Sequence, residues 1–295
     1  MLIERKPSWI RTKIPSGPMY NRVGHVLRTN GLHTVCEEAL CPNIADCWCR
    51  GTVTIMLLGD ACTRSCRFCA VKAGKPMGRV DVSEPEKVAM AVKELNLNHI
   101  VLTSVCRDDL HDGGAGVFAE TVMRIRRTNP RAKVEVLIPD FGGNRSAIEV
   151  VVRSKPDVIG HNLETIKRLT PIVRDRRSDY QLSLDVLKTV KELDDSIYTK
   201  SSLILGFGET EQEVVEAMSD LRSVGVDILT LGQYLRPTRR HAPVVEYVHP
   251  KTFERLKDIA LSLGFKGVIS APLARSSYMA AELFQKISRG GVFGG

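Results

Sequence analysis

The stretch Thr52-Val-Thr-Ile-Met-Leu-Leu58-Gly-Asp-Ala-Cys62-Thr-Arg-Ser-Cys66-Arg-Phe-Cys69 decides how this chain is read. A short apolar run, as a buried strand has, leads straight into three cysteines spaced C-x3-C-x2-C. Three thiolates close in sequence hold three irons of a 4Fe–4S cube and leave the fourth iron open. The competing reading is structural zinc, which wants four ligands. Here only Cys66 and Cys69 form a C-x2-C pair, and no nearby histidine completes a set. Three inert buried cysteines within eight residues of a loop are a poorer reading still. Phe68, just before the last cysteine, is an aromatic suited to packing beside a cluster.

Working outward, further strand-like runs follow at His99–Thr103, Val134–Ile138, Asp157–Gly160, Ser201–Leu205 and Asp227–Leu231, making six with Thr52–Leu58. Helix-like stretches lie between them. Ser83-Glu-Pro-Glu86 offers an N-cap, early acids and a proline in the first turn. Val117–Arg127, Asn144–Arg153, Tyr180–Asp194, Thr210–Val224 and Met279–Ile287 also have helical spacing, with Val214, Met218 and Leu221 on one face. Strand–helix alternation predicts an α/β fold with a parallel sheet, either doubly wound or a partial barrel. In both, ligands gather at the carboxyl ends of the strands. That places Cys62–Cys69, Ser104–Gly114, Asn162–Glu164, Gly206–Glu209 and Gln233–Arg240 around one mouth. Residues 1–50, interrupted by Pro7, Pro15, Pro18 and Pro42, read as irregular.

Upstream, Cys36, Cys41 and Cys47 are spaced C-x4-C-x5-C. Alone they fit zinc or unstructured thiols, but the neighbouring triad strengthens the case for a second cluster. Cys49 and Cys106 read as ordinary small apolar side chains. Near the end stands Arg275-Ser-Ser-Tyr278. A serine there reads as a helix cap or, beside two triads, as a weak oxygen ligand to iron.

The chain has 295 residues, 43% hydrophobic, enough for a sizeable core. Its formal charge of +8 admits an acidic partner without choosing one. No apolar run is long enough for a membrane span, and Met-Leu-Ile-Glu-Arg-Lys-Pro lacks a secretory h-region. Eight cysteines in such a chain fit a reducing, cytoplasmic setting, where thiols bind metal rather than pair. The basic clusters Arg174–Arg177 and Arg236–His241 read as solvated charge or as a docking face for an acidic protein.

These pieces together resemble the lipoyl synthases, a family of radical S-adenosylmethionine (SAM) enzymes. The resemblance is carried by both triads in order, with Thr103-Ser-Val105, Arg107-Asp-Asp-Leu110, His161-Asn-Leu-Glu-Thr165, Gly206-Phe-Gly-Glu-Thr210, Gly232-Gln-Tyr-Leu-Arg-Pro237 and Arg275-Ser-Ser-Tyr278. It spans residues 36 to 278. It departs at Cys106, where an aspartate is common, and at Met279, where a histidine is common. The resemblance implies a partial (β/α)6 TIM-type barrel, residues 51–250, flanked by an N-terminal extension 1–50 and a C-terminal extension 251–295. It implies two 4Fe-4S clusters and SAM as cofactors. Cys62, Cys66 and Cys69 would hold the SAM cluster; Cys36, Cys41 and Cys47, with Ser277 as fourth ligand, would hold an auxiliary cluster that donates sulfur. The implied reaction inserts two sulfur atoms, at C6 and C8, into an octanoyl chain on a lysine of a carrier protein. The carrier would be the lipoyl domain of a 2-oxoacid dehydrogenase or the glycine cleavage H protein, with ferredoxin or flavodoxin as electron donor. No side-chain base removes a proton from such an unactivated carbon, so a radical must abstract the hydrogen. Ser277 would release its iron as the auxiliary cluster is consumed.

Candidate SAM anchors are Asn162 and Glu164 for the ribose hydroxyls, Ser104 for the methionyl end, and Lys200 or Arg236 for the carboxylate. Gly206 and Gly208 would allow close backbone approach. Each has a plainer reading: Glu164 as helix-start charge, the glycines as turn formers. Two other functions compete. A tRNA methylthiotransferase also pairs two clusters but usually adds an RNA-binding module, for which no residues remain after Ser277. A zinc-stabilised nucleic-acid binder would suit the charge, yet aromatics total only 5% and do not interleave with the basic residues. Neither nucleic acid nor membrane is expected as a partner.

Overall fold

The computed structural model describes residues 6–12 and 14–295. The reading of the chain's first residues therefore falls largely outside the described part. One sheet carries nine strands in sequence order: β1 (His33–Thr34), β2 (Thr54–Leu57), β3 (His99–Ser104), β4 (Lys133–Leu137), β5 (Val158–Gly160), β6 (Tyr198–Leu205), β7 (Ile228–Gln233), β8 (Gly267–Ser270) and β9 (Phe293–Gly294). Strands β2 to β8 are parallel, each beside its sequence neighbour. β1 runs antiparallel along β2, and β9 lies along β8. Parallel strands laid down in order, each followed by a helix, wind into a barrel. With β1 and β9 as its edges, this one is open.

The strands are buried on both faces, so they are apolar runs rather than alternating ones. Local chemistry sets the helix starts. Thr210 and Glu213 form a capping box for Glu211–Ser223. Asn144 and Asp179 cap Arg145–Arg153 and Tyr180–Leu193 through their side chains. Ser83 does not cap Glu84–Glu94 with its hydroxyl, which binds Asp81 at 2.5 Å instead.

Two expectations need correction. Residues 18–50 are not irregular: helices Pro18–Thr29, Val35–Glu38 and Ile44–Cys49 occupy most of them. Pro18 starts its helix, where the missing N–H costs nothing. The parallel sheet also has a seventh member, β8, after the helix Pro250–Ser262. At the amino ends of the strands, Phe284 of helix Ala280–Ile287 packs against His99 and Tyr198, with ring centroids 5.9 and 6.0 Å apart. That helix closes one end of the barrel and leaves the carboxyl ends open. Among the described residues no helix is long and apolar enough to cross a membrane.

Candidate functional site

The loop after β2 carries Cys62, Cys66 and Cys69, and other strand-end loops pin it. Leu58 and Gly59 turn the chain with φ of 69° and 84°. Glu84 takes the Leu58 N–H at 2.8 Å. Thr63 N–H donates to Cys106 O at 3.0 Å, Arg67 N–H to Val173 O at 2.8 Å, and Ala242 N–H to Arg67 O at 2.7 Å. Arg64, between the first two cysteines, is turned inward, its side chain 5% exposed. It is bidentate to Asp140 at 2.5 and 2.6 Å and reaches Asp108 at 2.8 Å. Burial alone pushes Asp140 up, but the Arg64 hydrogen bonds outweigh it and hold the carboxyl below its usual range.

The three cysteines line a cavity of about 740 Å³ at the carboxyl ends of the strands. Ser104, Asn162, Glu164 and Arg236 line it too. Ser104 Oγ and Asn162 Oδ1 are buried without a hydrogen-bond partner, as are His161 Nε2 and Arg174 Nε on the same walls. Buried polar atoms left unpaired cost free energy unless a ligand meets them. Glu164 has a left-handed φ of 69°, a strained conformation for a non-glycine residue. Burial raises its pKa, and its carboxylate accepts from Asn162 Nδ2 at 3.1 Å.

Not every candidate is in place. Lys200 requires correction: it is 1% exposed, lies outside the cavity wall, and its Nζ sits 2.8 Å from Glu135 in the barrel interior. A carboxylate anchor there would have to break a buried ion pair. Gly206 and Gly208 also lie off the wall. Gly206, at φ 116°, is needed because a Cβ would come within 2.2 Å of Gln233 Nε2 and 2.6 Å of Glu246 O. The Arg174–Arg177 cluster is solvated only in part: Arg176 and Arg177 are exposed, but Arg174 is not. Arg174 is buried on Ser183 at 2.8 Å, and Arg177 holds Asp175 at 2.9 Å.

The first triad in sequence, Cys36, Cys41 and Cys47, sits beside β2. Cys36 lies in helix Val35–Glu38, which Thr34 caps, and Cys47 in Ile44–Cys49. Cys41 N–H donates to Cys36 O at 3.0 Å. The three line a smaller cavity of about 120 Å³ with Ser277. Ser277 does not cap the next helix, whose cap position is Met279. The carboxyl-terminal segment is clasped onto this corner: Asn43 Nδ2 donates to Leu273 O at 2.6 Å, Tyr278 to Asp46 at 3.4 Å, and Arg50 pairs with Glu282 at 3.4 Å. Sequence reading brought Ser277 here. It gave no role to Arg275, His161 or Asp140 and read Arg174 only as part of a basic cluster; the places of all four depend on long-range packing.

Without metal the buried thiols keep their protons: burial pushes Cys36 up to about 11 and Cys47 to about 12, with neighbouring thiols adding to both. Burial likewise lifts Cys69 to about 12. A metal held here has to displace those protons, and its positive charge offsets the cost of burying the thiolates. Among the described residues no three His, Cys, Asp or Glu side chains close on one point as a single ion requires. A cube takes each thiolate on a different iron, so its ligands stand apart. Cys106, read as a plain apolar side chain, lines the larger cavity, and its hydrogen bond to Cys62 holds that thiol down at about 6. Cys49 stays outside both cavities, donating to Ser16 O at 3.0 Å.

An open parallel barrel with a cysteine triad at its mouth defines the class, and comparison with known proteins agrees. Residues 56–221 match the radical SAM superfamily, and residues 3–41 match the N-terminal domain of lipoyl synthase. Streptococcus suis SuiB bound to S-adenosylmethionine shares the fold at TM-score 0.59 and 11% identity, over 81% of this chain and 56% of that one. The maturase HydG from Carboxydothermus hydrogenoformans does so at 0.55 and 15%, over 81% and 66%. Lipoyl synthase of Caldicellulosiruptor saccharolyticus is 54% identical, covering 96% of this chain and 98% of that one. The mitochondrial lipoyl synthase of Schizosaccharomyces pombe is 52% identical, covering 96% and 78%. The chain belongs to the lipoyl synthase family.

Proposed function

We propose that this protein inserts two sulfur atoms, at C6 and C8, into an octanoyl chain carried on a lysine of a lipoyl carrier domain. The observation that carries this reading is the adjacency of two triads in neighbouring cavities, with Ser277 beside the first. When bound, two 4Fe-4S clusters and SAM supply the one-electron chemistry and the sulfur. Cys62, Cys66 and Cys69 would hold one cluster; Cys36, Cys41, Cys47 and Ser277 the other. The donor sets fit: thiolates suit iron–sulfur clusters, and a hydroxyl oxygen is a weaker ligand, suited to a site that must give up iron.

The chain's own residues bind and orient. Ser104 and Asn162 offer their unpartnered oxygens to the polar parts of SAM, and Glu164 accepts from the ribose hydroxyls. Arg236 is the candidate for the carboxylate. The apolar wall of Val35, Leu40, Met56, Leu137 and Ile138 accepts the acyl chain and excludes water from a reactive carbon. Arg239 and Arg240 are exposed next to Arg236, which lines the cavity, and form the face for an acidic carrier. That carrier is a lipoyl domain of a 2-oxoacid dehydrogenase or a glycine cleavage H protein. Ferredoxin or flavodoxin supplies the electron, in the reducing cytoplasm that keeps thiols free.

The test is anaerobic reconstitution with an octanoyl-lysine peptide, SAM and a reductant, followed by mass spectrometry of the peptide. Gain of two sulfurs, with about eight irons per chain falling to about four in Cys36→Ala/Cys41→Ala/Cys47→Ala, is expected. Cleavage of SAM with no sulfur in the peptide, and about four irons in both proteins, overturns the proposal.

A further inference from the structure

Val35, Ala39, Arg275 and Ser276 line both cavities. Of these four, Arg275 alone is charged. Its Nη1 donates to the neighbouring Ala274 O at 2.6 Å. Cys41 lines one of the two cavities and Glu164 the other, and the negative charge of each favours the guanidinium against the cost of its burial. The seat is built for it. Gly232 has an ordinary backbone conformation, so its lack of a side chain serves space: a Cβ there would lie 2.1 Å from Ala274 O and 3.2 Å from Arg275 Nη1. Cys41 belongs to the triad that also meets Ser277, and Glu164 is the strained, half-buried carboxylate of the larger cavity.

We propose that Arg275 is a positioning residue that couples the two sites, its guanidinium being the shared counter-charge of Glu164 and of the Cys41 thiolate. This rests on the assignment of SAM to the larger cavity and of metal to the Cys36, Cys41 and Cys47 triad. An arginine does not lose its proton in a protein, so its charge is divided between whichever anions face it. With the triad ionised around metal, the guanidinium is held on that side and Glu164 keeps its lone pairs for the ribose hydroxyls. With the triad removed, the guanidinium turns to Glu164 and competes with the nucleoside. SAM therefore binds more tightly when the first triad is loaded. By linkage, SAM strengthens metal retention there by the same factor.

The test measures SAM affinity by anaerobic equilibrium dialysis, without turnover. Four proteins are compared: wild type and Cys36→Ala/Cys41→Ala/Cys47→Ala, each with Arg275 or with Arg275→Gln. Iron is counted in all four. With Arg275 present, loss of the triad is expected to weaken SAM binding about five-fold, and with glutamine there it changes nothing. The same pair of measurements in Glu164→Gln leaves the carboxyl-terminal segment intact. There SAM binds more weakly overall, but the ratio with and without the triad falls to about one. An equal ratio in the arginine and glutamine backgrounds, or no effect of the triad beside Arg275, overturns the coupling. Equal iron in wild type and the triple alanine variant overturns the two-cluster reading itself, whatever the affinities.

Discussion

The two triads are built in opposite ways. Cys62, Cys66 and Cys69 ride a loop that the barrel grips from several directions, with Arg64 locked on Asp140 and Asp108. Cys36 and Cys47 sit on short helices at the edge of the sheet with Cys41 on the turn between them, and their site is completed only by Ser277 from a distant part of the chain. One site is part of the scaffold; the other is an assembly of two chain ends held by a few clasping hydrogen bonds. A centre that works repeatedly needs the first construction. A centre that is to be dismantled as its sulfur leaves is better served by the second.

The sharpest test of that contrast removes each triad in turn. Alanine at Cys62, Cys66 and Cys69 is expected to abolish SAM cleavage and all downstream chemistry. Alanine at Cys36, Cys41 and Cys47 is expected to leave SAM cleavage and remove sulfur insertion. Chromatographic assay of 5′-deoxyadenosine distinguishes them, and loss of cleavage in both erases the division of labour. Next, Ser277→Cys makes the edge site more like the other by giving it a fourth soft ligand. Most of the two-sulfur product should disappear while iron content holds; undiminished turnover would sink the idea of a releasing ligand.

Asp140→Ala breaks a pair whose side chains are 5% and 1% exposed. Leaving Arg64 with Asp108 as its carboxylate partner should cost about 2 kcal/mol in the cluster-free protein, read by denaturant unfolding. An effect near zero would mean the loop is not held by this pair. Charge reversal at Arg239 and Arg240 should raise KM severalfold for an intact carrier and leave an octanoyl-lysine peptide unaffected; equal effects on both refute a docking role. The smallest expected effect is on pH. Asp108, Asp140 and Asp175 each meet burial that raises their pKa, and arginine contacts outweigh it to hold them below the ordinary range. Their stabilisation is present above the unfolded carboxylate value of about 3.9 and is lost as pH falls below it. Thermal melts of cluster-free protein should show the midpoint dropping below about pH 4, and less so in Asp140→Ala.

Much of this was legible in the chain. Six buried strands announced themselves as apolar runs, and C-x3-C-x2-C fell where strand ends collect ligands. The four ligand candidates of the edge site were also readable, since cysteines and a terminal serine carry their chemistry openly. Residues whose meaning depends on a distant neighbour were not. Lys200 looks like an anion binder until Glu135, far away in sequence, is placed beside it. Arg174 looks like surface charge until Ser183 and the Leu163 carbonyl bury it. Pro18 looks like an interruption, yet it occupies the first turn of a helix. Cys106 reads as filler, and only the fold brings it to Cys62.

The clasp between the chain ends also bears on biosynthesis. Its hydrogen bonds join residues 230 and 232 positions apart, Asn43 to Leu273 and Asp46 to Tyr278. On the ribosome, where folding proceeds from the amino terminus, the contacts described above that grip the Cys62–Cys69 loop are all available once residue 242 has emerged. The edge site must wait for the last few dozen residues. Delivery of iron and sulfide to the cell's newest copies of this enzyme is therefore expected in two instalments: one as the gripped loop folds, one only after the segment bearing Ser277 has joined it.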